Sequence, residues 1–462
     1  MHLNHYNDAP KDIAVAIRGN VDRWSAGRGD DPALHRLLQL RTRIEMEWLF
    51  EVEASASQRL EDPGALVWLK TVADLPMSDV EAGLTDPLCS LWLRRAQETL
   101  TSAVATDGEL RRVLDGFLGP ALTSLSSAEA TAELIIAEVP ARLSIPSLAV
   151  EVVRPQSGPL RIEVRDGIIV LDEGVATIAP DGIIRVQDNA DLAVSPLPKA
   201  DGYGVRLEAH EPHLRELFPW IDDGDYQPDL WVQRLNASAA LLKAHHPEML
   251  AEMRHNLKVV VPTSPGPSAR HSTGNYRDAR GAVNSSMYSE PFFSDGLIHE
   301  HRHDLLNSIS MVVPVFETED RAQIERYYSP WRPEPRPIIG LLHAVFVFVE
   351  VCEFYLRLLA DSPGYLEDSH EAVRMELGLQ TVRLGLGVAE MQDAEGLTPF
   401  GRDLLEALGQ RAKALRADAA RHNAFADRQI LKILTDHYKQ YVKEWSVTAH
   451  TDIDAGIRKW TT

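Results

Sequence analysis

Cysteine is nearly missing from this chain. Cys89 and Cys352 are the only two in 462 residues, and both stand in apolar stretches of helical period. That excludes a disulfide framework, a thiolate zinc site and a three-cysteine iron–sulfur motif. Basic charge is also in short supply: 47 Lys and Arg face 68 Asp and Glu, for a net charge of −21. Such a balance argues against nucleic acid or an anionic membrane as a partner. The first residues, Met1-His2-Leu3-Asn4-His5-Tyr6-Asn7-Asp8, lack the basic segment and apolar core of a secretory signal. The longest apolar run, Ile338 to Ala360, carries His343, Glu350, Glu353 and Arg357 at helical intervals. It reads as a buried amphipathic helix rather than a membrane span, so no membrane partner and a cytoplasmic location are expected. Nothing in the residues speaks to oligomeric state.

What is there has ordinary globular proportions, 44 % hydrophobic and 25 % charged. Three segments are expected. Residues 1–145 form a helical amino-terminal extension, with helical period from Ala9 to about Val139 through Leu34 to Leu40, Trp48-Leu49-Phe50, Pro87 to Ala105 and Gly108 to Leu118. Residues 146–215 form a β-rich segment, with short apolar runs at 148–153, 160–164, 167–171 and 182–186 punctuated by Gly, Asp and Pro. Residues 216–462 form a mainly helical catalytic unit. The fold class expected is α+β, mainly helical with small antiparallel sheets. Leu257 to Val261 and Ala282 to Tyr288 read as strands, and an exposed edge at the second would suit an extended peptide.

One stretch spells out a chemistry. His299-Glu300-His301-Arg302-His303 reads HExxH. On a helix, His299 and His303 project from one face with Cβ atoms about 5 to 6 Å apart, so both can reach one metal ion. Glu300, roughly 100° round the helix, is poorly placed as a ligand but can touch metal-bound water or substrate. Ser294 is the expected N-cap, Asp295 sits in the first turn, and Leu297, Ile298, Leu305, Leu306 and Ile309 repeat around the histidines. His301 and Arg302 face away from the ligand side and carry no assigned role.

Downstream lies Tyr327-Tyr328-Ser329-Pro330-Trp331-Arg332-Pro333-Glu334-Pro335-Arg336-Pro337, with four prolines in its last eight residues. A backbone that stiff holds Arg332 and Arg336 in place, and Arg binds carboxylate in a planar fork. Tyr327, Tyr328 and Trp331 are candidate pocket walls. His343, in the apolar frame Leu341-Leu342-His343-Ala344-Val345-Phe346, is the natural third ligand, because a buried imidazole needs a partner and two ligands need a third. His255 and His271 are read as surface histidines.

HExxH, then Ser-Pro-Trp-Arg-x-x-Pro-Arg-Pro, then Leu-His-Ala-x-x-x-Phe, together resemble the HExxH-motif proteins that mature ribosomally made, post-translationally modified peptides. The resemblance covers about residues 230 to 360. It implies a metallopeptidase-like core, iron(II) and 2-oxoglutarate as cofactors, and hydroxylation of the β-carbon of a residue in a precursor peptide. Carried over, the metal ligands are His299, His303 and His343, and Arg332 or Arg336 binds the 2-oxoglutarate carboxylate. With too few cysteines for a fused radical SAM cluster, the resemblance implies that the chain would be a stand-alone version.

The residues alone leave the metal open. Three histidines also suit Zn2+ with an open water position, and Glu300 is then the general base of a metallopeptidase. Against this, Glu325 is the only carboxylate at the spacing a thermolysin-like peptidase needs, in a charged setting, and Ile309 stands where a metzincin has its third His. A further alternative is a non-catalytic peptide-binding partner.

Overall fold

The computed structural model describes residues 32–60, 66–116, 118–128, 132–139, 142–145, 149–156, 158–179, 183–187, 192–218, 221–222, 224–264, 271–318, 323, 326–361, 369–422, 424, 428–445, 449, 452–453 and 455–457. The helical reading of residues 9–31 and the candidate Glu325 lie outside them. The class is α+β, mainly helical with small sheets, and the chain divides into two compact units.

The first unit holds residues 38–237 and 256–288. Its helices are α1 (Pro32–Arg59, from Leu38 onward), α2 (Val67–Ala73), α3 (Met77–Leu84), α4 (Pro87–Thr101), α5 (Asp107–Asp115) and α6 (Leu118–Ser127). Their starts follow from local chemistry. Asp86 accepts from the Leu88 amide ahead of Pro87, and at α5 Thr106 and Glu109 cap each other reciprocally. The helical pattern fails before Val139: Ala132–Val139 is β1, paired antiparallel with β4 from Ala132 opposite Val164 to Val139 opposite Gly158. Ile135 and Ile136 are β-branched and suit a paired strand, and a partner strand more than twenty residues on overrides the local period.

The remaining strands are β2 (Arg142–Ile145), β3 (Val150–Val153), β4 (Gly158–Arg165), β5 (Ile168–Leu171), β6 (Ala176–Ile178), β7 (Ile184–Val186), β8 (Ala193–Pro196), β9 (Lys199–Ala200) and β10 (Val205–Leu207). Strands β1 to β8 make two antiparallel sheets, β1-β4-β5-β6-β7 and β2-β3-β8. After α7 (Pro212–Leu217), strands β11 (Val259–Thr263), β12 (Thr273–Asn275) and β13 (Ala282–Ser286) join β10 and β9 in a mixed sheet of order β12-β13-β11-β10-β9. Strand β13 is therefore not an edge. It is parallel to β11, antiparallel to β12, and buried at all five positions. Its small residues allow close neighbours on both sides, and a Cβ added at Gly274 would meet Asn284 Oδ1 at 2.7 Å.

The second unit holds residues 238–255 and 289–462, with residues 32–37 of α1. It comprises the second half of α8 (Pro228–His245), α9 (Pro247–Asn256, up to His255), α10 (Phe292–Val312), α11 (Ile338–Asp361), α12 (His370–Met391), α13 (Pro399–Arg421) and α14 (Arg428–Trp445). Helix α11 packs against α10, α12 and α13. Among the described residues it is the one helix long and apolar enough to cross a membrane, and most of it is buried within the protein. Its polar groups are met inside. Glu350 lies 3.2 Å from His246, and Glu353 pairs with Arg357 at 2.9 Å and with Arg411.

Candidate metal centre

Helix α10 carries the pentad. It starts at Phe292, so Ser294 lies inside the first turn and is not the cap. Pro291 holds the cap position, without a side-chain bond, and Glu290 Oε2 just before it accepts from the Ser294 amide at 3.3 Å and from its hydroxyl at 2.6 Å. A carboxylate meets exposed amides and the positive helix end more strongly than a hydroxyl does. Asp295 does sit in the first turn, half-buried, and its carboxyl accepts from the Tyr355 hydroxyl at 2.5 Å. Burial and the neighbouring Glu376 outweigh that bond and push it up to about 7.

The three sequence-predicted histidines form one cluster. The Nε2 atoms of His299 and His303 are 3.2 Å apart, with rings edge to face at 4.8 Å. His303 Nδ1 is 3.0 Å from Nδ1 of His343, near the start of α11. Burial first, and then the charge of Arg332, bring His303 down to about 4. The ring is therefore neutral at physiological pH and keeps a lone pair to give.

Among the described residues no three His, Cys, Asp or Glu side chains stand in a geometry that could hold one metal ion. The reason is visible at His303, which spends one ring nitrogen on each neighbour, whereas a metal takes a single nitrogen from each imidazole. The donors nonetheless fit a metal in type and spacing. Two nitrogens about 2.0–2.1 Å from one ion stand roughly 3.3 Å apart in a tetrahedral site, close to both contacts seen. His299 and His303 already face each other as such a pair; His343 needs its ring turned for the three to converge. Glu300 is buried, with Oε1 4.0 Å from His299 Nε2.

The other two pentad residues do what local sequence did not reveal. His301, given no role from the sequence, is buried and bonded to Glu252 Oε1 at 2.8 Å. Arg302 is fully buried, donates to the same oxygen at 3.1 Å, and lays its guanidinium 4.0 Å from the Phe346 ring centroid. Burial alone would raise Glu252, but Arg302 and His301 bring it down to about 2. The only hint was Glu252 itself, an acid in the otherwise apolar stripe of Met249, Leu250 and Met253.

The proline-rich loop is closed by backbone bonds between Tyr327 and Arg336, at 2.8 and 3.0 Å. Trp331 lies flat on Phe348, centroids 5.5 Å apart and planes within 6°, and Phe348 meets His299 edge to face at 5.0 Å. Of the three aromatics predicted to line a pocket, Trp331 is thus tied to the cluster through Phe348. Tyr328 is buried with Tyr438 and Tyr441 instead. Arg336 is engaged by Glu334 at 2.8 Å, whereas Arg332 is exposed and forms no ion pair among the described residues. His255 packs on His35, and His271 bonds Ser285 and stacks on Tyr288. No protein-family model matches the chain, and no curated protein is matched by it.

Proposed function

We propose that the chain is an iron(II)- and 2-oxoglutarate-dependent hydroxylase, a relative of the HExxH-motif peptide-maturation proteins, acting on the β-carbon of a residue in a ribosomally made precursor peptide. The observation that carries the reading is the clustering of His299, His303 and His343 beside a loop that presents Arg332. His299, His303 and His343 would hold the iron, which supplies the oxygen activation this reaction requires.

What the chain's own groups do follows from their chemistry. Three neutral imidazoles leave the full charge of a divalent cation for an anionic co-substrate, and Arg332 offers a guanidinium to its far carboxylate. Trp331 and Phe348 set apolar surface beside His299, the kind of lining that would limit the access of water to reactive species. Glu300 sits beside His299 as an orienting or proton-holding group.

A second reading is supported by that same Glu300 position, which suits the general base of a zinc peptidase. One experiment separates them. The protein is loaded anaerobically with iron and assayed for succinate with and without 2-oxoglutarate and a candidate precursor peptide. Succinate without peptide cleavage supports the hydroxylase; zinc-dependent cleavage that Glu300→Gln abolishes supports the peptidase. Neither product leaves the peptide-binding reading.

A further inference from the structure

The proline-rich loop has few hydrogen bonds of its own to give, since Pro330, Pro333, Pro335 and Pro337 lack an amide proton. Its position is set from outside. Tyr328 donates its amide to Glu390 at 3.1 Å, and Trp331 donates its indole proton to Gln380 at 2.8 Å. Helix α14 supplies two more grips on adjacent carbonyls: His437 Nε2 is 3.1 Å from the Arg332 oxygen and Trp445 Nε1 is 2.9 Å from the Pro333 oxygen.

His437 is the more demanding of the two, because both of its nitrogens are used. Nδ1 is 3.0 Å from the Tyr328 hydroxyl. A carbonyl can only accept, so Nε2 carries the proton, and Nδ1 accepts from the tyrosine O–H. One neutral tautomer satisfies both bonds, and burial together with the charge of Arg383 lowers this imidazole's affinity for a second proton. Tyr328 is itself fixed by Tyr438 and Tyr441, one of them next to His437 on the same helix. The backbone of Arg332 is therefore clamped while its side chain is left exposed.

We propose that His437 is a positioning residue: through the Arg332 carbonyl and the Tyr328 hydroxyl it fixes the Trp331–Arg332 segment against the histidine cluster, so that the Arg332 guanidinium is presented to a dicarboxylate co-substrate. The co-substrate part rests on the functional reading above; the fixing of the loop does not. A loop held only by its prolines would keep its shape but not its place, and the clamp supplies the place. Among the described residues His437 meets the Arg332 carbonyl and the Tyr328 hydroxyl rather than the three histidines, and it acts through Arg332.

The test uses the full chain, iron-loaded, as wild type, His437→Ala, His437→Gln and Tyr328→Phe. Amide hydrogen exchange is followed across residues 327–337, with 2-oxoglutarate dependence of succinate formation and iron affinity measured alongside. In His437→Ala, exchange in the loop accelerates and the apparent KM for 2-oxoglutarate rises on the order of tenfold, the size of one lost neutral hydrogen bond. Its kcat stays within about a factor of two and iron affinity is unchanged, as expected when ground-state binding alone is weakened. Gln, whose amide can reach the Arg332 carbonyl, restores most of the loss, and Tyr328→Phe gives an intermediate one. Unchanged exchange in His437→Ala overturns the proposal, as does a fall in kcat that tracks a general loss of folded protein. If wild type consumes no 2-oxoglutarate, the functional reading fails, and the exchange data still decide whether His437 holds the loop.

Discussion

His303 and His343 face each other through their Nδ1 atoms at 3.0 Å, across a gap of 40 residues in sequence. A hydrogen bond between two imidazoles lasts only until something better claims the lone pairs. A divalent metal is such a claimant, and binding it means that His343 turns to share the ion with the Nε2 pair of His299 and His303. Titration with cobalt(II), read by its absorption bands, should show tight binding by wild type and more than about 100-fold weaker binding by His343→Ala, since even outer-shell changes cost 10–100-fold. Equal affinity in the two proteins would remove His343 from the site.

The two loop arginines should behave differently. Arg336 is already paired with Glu334, and Arg332 forms no such pair among the described residues. Arg332→Ala should raise the 2-oxoglutarate concentration needed for half-maximal succinate formation by at least about tenfold, the loss of a charge-assisted bond. Arg336→Ala should change it by less than about threefold, as for a partly exposed ion pair. The reverse order would assign the clamp to Arg336.

Trp331 can be displaced without touching it. A methyl group at Gly387 would stand 2.8 Å from its Cζ3 and 2.9 Å from Cη2. Gly387→Ala should cost about 1–3 kcal/mol in urea unfolding by overpacking. It should also free the indole from Phe348, raising the apparent KM for 2-oxoglutarate and altering tryptophan fluorescence. A variant as stable as wild type with an identical emission spectrum would contradict this packing.

Glu252 should matter to stability more than any exposed acid. Glu252→Gln leaves Arg302 buried without its counter-charge and should lower stability by about 3–5 kcal/mol. The pH dependence has a definite sign. The folded carboxyl lies at about 2 and the unfolded one near about 4.3, so its stabilisation is complete above the unfolded value and is lost as pH falls toward the folded one. Urea midpoints of wild type and variant should therefore converge between about pH 4 and pH 2. Parallel curves throughout that range would mean Glu252 is not held as an anion.

The parts of this protein legible in its sequence are those whose cause is local. The four-residue spacing of His299 and His303 dictates one helical face, and their Nε2 atoms do meet. Runs around 150–171 and 259–263 gave away their strands through β-branched alternation. What escaped has its cause elsewhere in the chain. β1 became a strand because β4 lies beside it, and β13 became an inner strand because β12 and β11 flank it. Glu252, about fifty residues before the pentad, draws His301 and Arg302 inward, and no local pattern announces a partner so distant. Helix α10 begins earlier than Ser294 suggests: Pro291 holds the cap position, and the Ser294 amide and hydroxyl are met by Glu290, whose chain reaches them. Which nitrogen each imidazole turns to its neighbour has no signature in sequence at all.

One carboxylate gripping two consecutive pentad residues sets the rotation of α10 about its own axis. A single residue inserted between Phe292 and His299, with the grip kept, leaves the imidazoles where they are and pushes the slip into the opening turn, undoing the embrace of Ser294 by Glu290. With the opening kept, the same insertion swings both imidazoles through about 100° and out of register with His343. The spacing of this segment is thus constrained from both ends, and deletions or insertions there should be tolerated far less than changes of side chain.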